Sequence, residues 1–209
     1  EKISAALGKL EIALKNFSKN IHKIEKYYDF SIRQTILNEA RDLKLVASNY
    51  HNRAYKNPML LISNLKNPIN QLAAKIQLEG GARIEGVALI KPEQLLGIKI
   101  DKVTQVEKGI IYTKEKGGKQ GEVLVSLKTY AELENYLSLN SKFKINRQDY
   151  YNDIKQAAII SKEVSEGSHG LRWNFAKRRM FEYGKADYTY SDSLQQVSYE
   201  MKHNRASIT

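Results

Sequence analysis

The stretch GIIYTKEKGGKQGEVLVSL, residues 109–127, constrains this chain more than any other segment. Runs rich in Ile, Val and Thr flank the Gly117-Gly118 pair, where a tight turn costs little, and the β-like pattern extends from Leu96 to Leu127. It predicts a small antiparallel sheet whose hairpin carries three lysines, Lys114, Lys116 and Lys119.

The remaining segments have a helical pattern. Ile3, Leu7, Leu10, Leu14, Phe17, Ile21 and Ile24 recur at three- and four-residue steps with lysines between them, which predicts one or two amphipathic helices over residues 3–30. A second helical segment is expected from about Ile32 to Tyr55. Two Asn-Pro dipeptides then follow within YKNPMLLISNLKNPIN, and proline disfavours helix in the residue before it. That places a domain junction here, dividing the chain into residues 1–56 and 57–209. Beyond it, residues 68–79 read as helix, EGGARIEGVALIKPEQL as a tight turn and a short apolar helix, and TYAELENYL and RQDYYNDIKQAAIISKEV as two further helices. A basic helix carries SHGLRWNFAKRRM, residues 168–180, in which KRRM reads as a solvated face or as a face that contacts phosphates non-specifically. The last segment has a helix cap at Ser191 or Ser193 and stays helical to about Met201. The fold class is mainly α with a small antiparallel β-sheet.

Thirty-four basic against 23 acidic residues give a net charge of +11 and a pI near 9.6, which favours a polyanionic partner such as nucleic acid or an anionic membrane surface. No apolar run approaches the ~20 residues that span a bilayer, and EKISAALGKL is not a signal peptide, so a cytoplasmic protein without a membrane role is expected. With no cysteine and only four scattered histidines there is neither a disulfide framework nor a metal-ligand spacing, so no resident metal or cofactor is expected, and any chemistry is metal-free or uses a metal brought by the substrate. A first residue of Glu rather than Met points to a fragment or a processed chain.

Taken in order, GGARIEGVALIKPEQL, the lysine-bearing hairpin, SHGLRWNFAKRRM and MKHNRASIT resemble the tyrosine recombinase/phage integrase family over roughly residues 57–209. The N-terminal helical part is similar in kind to that family's core-binding, DNA-contacting domain. The resemblance implies a site-specific recombinase that cleaves and rejoins double-stranded DNA through a 3′-phosphotyrosine, without cofactor, as a homotetramer on two DNA sites. It places Arg83 on the first catalytic arginine and Lys116 on the hairpin lysine, with Lys114 and Lys119 in competition for that role. His169 and Arg172 fall on the His-x-x-Arg pair, and His203 on the third His/Trp position. Trp173 stands where a histidine is usual, and Gly86 where many members have Glu three residues after the first arginine; Glu85 is one residue early. YGKADYTYSD reads as an insertion. The family's nucleophilic tyrosine would fall near position 212, past Thr209, and neither Tyr188, Tyr190 nor Tyr199 occupies its position. The 209-residue chain is therefore expected to be inactive alone and monomeric in solution.

These residue types suit the chemistry. Two guanidiniums can clamp the nonbridging oxygens of a phosphodiester as charge builds on them, a lysine can protonate the leaving 5′ oxygen, and imidazoles titrate near neutrality. That assigns Arg83 and Arg172 as the clamp, His169 as base and His203 as oxygen donor. All but Arg172 have a plainer alternative: Arg83 paired with a carboxylate such as Glu79 or Glu85, His169 capping its helix, the hairpin lysine merely solvated, and His203 a surface residue at a helix end. At the level of the protein, the alternatives are a non-catalytic DNA-binding or architectural protein with the same fold and, less favoured, a helical RNA-binding protein.

Overall fold

The computed structural model describes residues 12–13, 52–115 and 117–203. The chain divides into two compact units, Glu1–Asn52 and Arg53–Thr209. In the first, the described residues Ile12 and Ala13 are helical, and the rest of the helices expected over residues 3–30 lie outside the described residues, as does most of the segment from Ile32 to Tyr55.

In the second unit the residue before each proline is non-helical, as the Asn-Pro dipeptides predict, and each proline opens a helix. Asn57 precedes α1 (Pro58–Ser63) and Asn67 precedes α2 (Pro68–Gly80). Proline fits the first helical position because its missing N–H would lack a partner there anyway. Each asparagine side chain accepts from a backbone N–H of the first turn, from Leu60 at 3.1 Å and from Ile69 at 2.9 Å. The described residues 52–55 are not helical. Tyr55 is instead tied across the fold: its N–H donates to Asn174 Oδ1, its carbonyl accepts from Asn174 Nδ2, and its hydroxyl donates to the Gly167 carbonyl.

α2 ends at Gly81, whose φ of +67° reverses the chain into α3 (Ile84–Val87). A 3-10 turn at Pro92–Gln94 leads into the sheet, whose strands β1 (Leu95–Ile100), β2 (Glu107–Glu115) and β3 (Lys119–Val125) are antiparallel in the order β1-β2-β3. The register pairs Glu115 with Lys119 across the hairpin, as the Gly117-Gly118 turn predicts. Then come α4 (Leu127–Leu139), α5 (Arg147–Ile160), α6 (Gly167–Lys185) and α7 (Tyr190–Glu200). The expected cap at Ser191 or Ser193 is corrected to Thr189, whose hydroxyl accepts from Asp192 N–H. YGKADYTYSD forms the end of α6, the turn and the start of α7.

The main core draws Leu61, Ile76, Val87, Ile111, Val123, Leu133, Ile154 and Leu171 from the helices and one sheet face. A smaller core of Phe175, Ala176, Tyr183, Val197 and Met201 joins α6 to α7. The KRRM face is not simply solvated. Arg178 donates to the last carbonyls of α2, at Leu78 and Glu79, where the helix presents unsatisfied acceptors. Arg179 is buried, pairing bidentately with Asp101 of the β1–β2 loop and reaching Glu200 of α7 and Glu182. These bonds fix the chain that follows α7. Among the described residues no helix is long and apolar enough to cross a membrane.

Candidate active site

Four turns and helix ends of the second unit meet at one cleft of about 390 Å³, lined by Gln77, Arg83, Ile84, Glu85, Lys119, Ser168, His169 and Arg172. Three of the residues singled out from the sequence, Arg83, His169 and Arg172, share its wall, although 89 positions separate the two arginines. Gln77 holds the entry to this turn: its amide donates to the Ala82 carbonyl, and its oxygen accepts from the buried Tyr150 hydroxyl.

Arg83 precedes α3 and does pair with a carboxylate, that of Glu115 rather than of Glu79 or Glu85. Its Nη1 donates to Glu115 Oε2 at 2.8 Å and its backbone N–H to Glu115 Oε1 at 3.2 Å. Glu79 caps α4 instead, accepting from Ser126 and Thr129, and Glu85 lies 4.0 Å from Arg147.

Arg172 projects from the second turn of α6 and is 1% exposed. Its Nη2 donates to the Met201 carbonyl at 3.1 Å and lies 3.5 Å from His203 Nε2, while Nε and Nη1 have no hydrogen-bond partner. Burial and the nearby Arg83 guanidinium push it down to about 10, against the pull of Glu115 and Glu85.

His169 sits in the first turn of α6 without capping it. Partial burial first, then the charges of Arg172, Arg53 and Arg83, hold its imidazole below the usual value. His203, three residues past the end of α7, lies beside Arg172, while the Arg179 network anchors α7 through Glu200. Burial and the charges of Arg172, Arg83, Lys119 and His169 push it down to about 4. Both imidazoles are thereby neutral at neutral pH.

Of the hairpin lysines, Lys119 reaches the cleft wall. Lys114 is exposed, alternating along β2 with the buried Thr113 and Glu115, and so belongs to the other face. Lys116 lies outside the described residues. Trp173 is half-buried and Phe175 is in the core. Among the described residues no group of three or more His, Asp or Glu is arranged to hold a metal ion.

The sequence reading missed two residues. Glu115 is buried, with its second oxygen accepting at 3.1 Å from Lys202 Nζ, itself only 7% exposed. Burial would raise the Glu115 carboxyl, but Lys202, Arg83 and Arg172 bring it below the ordinary range, while burial lowers Lys202. The one signal in the sequence is strand alternation, which puts Glu115 on the face of Ile111 and Thr113 and opposite Lys114.

No protein-family model matches the chain, and no curated protein does. Solved structures do. XerH site-specific recombinase bound to palindromic difH substrate, in a post-cleavage complex, superposes with a TM-score of 0.56 at 17% identity, over 78% of this chain and 49% of that one. A lambda integrase dimer bound to a COC′ core site gives 0.54 at 12% identity, over 95% and 77%. XerA recombinase gives 0.50 at 14%, over 94% and 75%. The chain spans about half the length of the XerH recombinase it matches. A mainly helical chain with a three-stranded antiparallel sheet and these neighbours has a tyrosine recombinase/integrase-like fold.

Proposed function

We propose that the cleft is the phosphate site of a tyrosine recombinase that cuts and rejoins double-stranded DNA through a 3′-phosphotyrosine. The observation that carries this reading is Arg172, a buried guanidinium whose Nε and Nη1 lack partners beside a cleft that also holds Arg83, Lys119 and His169. A buried cation is costly unless an anion pairs with it, and a phosphodiester supplies that anion. As a hydroxyl attacks phosphorus, charge grows on the nonbridging oxygens, where preorganised guanidinium donors stabilise it more than they stabilise the ground state.

The other roles follow from position around the cleft and from side-chain chemistry. His169, held neutral, accepts the proton of the attacking tyrosine. Lys119 protonates the leaving 5′ oxygen, taking the hairpin role from the three lysines in competition. His203, neutral and beside Arg172, donates to a nonbridging oxygen. Tyr188, Tyr190 and Tyr199 are exposed and none lines the cleft, so this reading requires a tyrosine from outside the described residues. Residues 1–56 add a second DNA contact. A lambda integrase tetramer bound to a Holliday junction is among the similar structures, and the full-length protein is proposed to act likewise as a homotetramer.

The test is incubation of the full-length protein with a library of nicked suicide duplexes, followed by denaturing electrophoresis. A covalent protein–DNA adduct is expected, and Arg172→Ala should abolish it while most DNA affinity remains, because many other basic residues share the binding. Tight DNA binding with no adduct would instead identify an architectural DNA-binding protein.

A further inference from the structure

Glu115 is a carboxylate placed among cations that the proposed phosphate chemistry needs, and no step of that chemistry uses it. Both its oxygens are engaged, Oε2 with Arg83 Nη1 and Oε1 with the Arg83 backbone N–H and Lys202 Nζ, and its side chain is 0% exposed. Holding Arg83 by both backbone and guanidinium removes most of the freedom of a long side chain. Lys202 has a φ of +57°, in the left-handed region that side chains disfavour, and lies between Met201, whose carbonyl accepts from Arg172, and His203. The Glu115–Lys202 pair thus ties down the three-residue segment that meets Arg172.

The surroundings of Glu115 also account for Gly86. A Cβ on Gly86 would stand 2.7 Å from Glu115 Cγ and 3.3 Å from Oε1, with Thr113 Cβ at 3.2 Å. The volume that a side chain at position 86 would enter is filled by the Glu115 side chain. A carboxylate can therefore reach this point from α3 or from β2, but not from both.

We propose that Glu115 is the positioning residue of the site, fixing Arg83 on one side and Lys202 with its neighbour His203 on the other, from the volume left open by Gly86. This rests on the phosphate reading above. A carboxylate acting only through its charge would repel phosphate, so its removal would tighten binding; a positioning carboxylate gives the opposite sign.

The experiment titrates the full-length protein with inorganic phosphate, following the ring signals of His169 and His203 by NMR. Glu115→Ala should weaken phosphate binding by about tenfold or more, by analogy with metal sites, where removing a group that orients a ligand costs about 10- to 100-fold. The His203 signal should move even without phosphate. Gly86→Glu/Glu115→Ala, which offers the carboxylate from α3, should recover wild-type affinity to within about threefold. Unchanged or tighter binding by Glu115→Ala, or a double variant no better than the single one, overturns the inference. Should Glu115→Ala fail to fold, recovery of folding in the double variant and weaker phosphate binding by the isosteric Glu115→Gln carry the test, and failure of both overturns it. A wild-type protein whose His169 and His203 ignore phosphate overturns the phosphate reading itself, and this inference with it.

Discussion

The charge state of His203 links the site to the stability of the fold. Its imidazole is pushed down to about 4, first by burial and then by the cations around it, against an ordinary value near 6.5. Between those values the unfolded chain binds a proton that the folded chain refuses, so stability falls as pH drops from about 6.5 to about 4 and is unaffected above that window. Thermal melts of wild type against His203→Gln should show this acid-side loss shrinking in the variant, and phosphate should raise the His203 titration midpoint seen by NMR. Asp101 acts lower on the scale. Burial would raise its carboxyl, but the Arg179 guanidinium outweighs burial and brings it to about 2. Its contribution is present above about pH 4 and is lost as pH falls toward 2. Replacing Arg179 with Met strands Asp101 and Glu200 and should cost about 3–5 kcal/mol in denaturant unfolding. Arg83, His169, Arg172 and His203 could be singled out from the sequence because each sits in a short local pattern. Glu115, Lys202 and the burial of Arg179 could not. Their partners lie 87 and 78 positions away, and a charged residue's burial depends on those partners.

Periodicity identified the elements better than punctuation marked their ends. The β-pattern from Leu96 to Leu127 and the helical patterns after it correspond to β1 through α7, because a strand or helix buried on one face must repeat its apolar positions with its own period. Asn-Pro is ambiguous by the same physics that makes it informative. Proline blocks helix before itself and favours helix after itself, and whether Asn57 and Asn67 end one element or begin another depends on which backbone donors their side chains find. Asp153, across the fold on α5, adds acceptors for the Lys66 and Asn67 N–H groups. The packing that matters most to the site is α2 against α6, since the first delivers Arg83 and the second His169 and Arg172. Gly81 lies where they meet: its φ is +67°, and a Cβ there would stand 2.5 Å from Phe175 Cδ1. Gly81→Ala should therefore cost about 2 kcal/mol or more by denaturant unfolding, from backbone strain and displacement of the Phe175 ring together. It should also weaken phosphate binding by shifting α6 under Arg172.

At the scale of the whole molecule the charge is unevenly shared. Residues 1–52 hold nine basic and six acidic side chains, so of the net +11 the unit from Arg53 to Thr209 carries +8. On the proposed reading that unit carries enough positive charge to attract a duplex by itself, and the N-terminal lysines would add to the attraction rather than create it. Two consequences separate these contributions. Each neutralised phosphate releases counterions, and neutralising even about four or five phosphates would raise the Kd for a short duplex about 150- to 500-fold between 50 and 200 mM salt. Salt-insensitive binding in a fluorescence-anisotropy titration would contradict a phosphate-tracking interface. Neutralising Lys9, Lys15 and Lys19 together should then make the salt dependence shallower, in proportion to the phosphates those lysines pair with, while leaving the response of His169 and His203 to inorganic phosphate unchanged. If those three substitutions changed the phosphate response as well, the N-terminal residues would be acting on the cleft itself and not on the length of duplex held beside it.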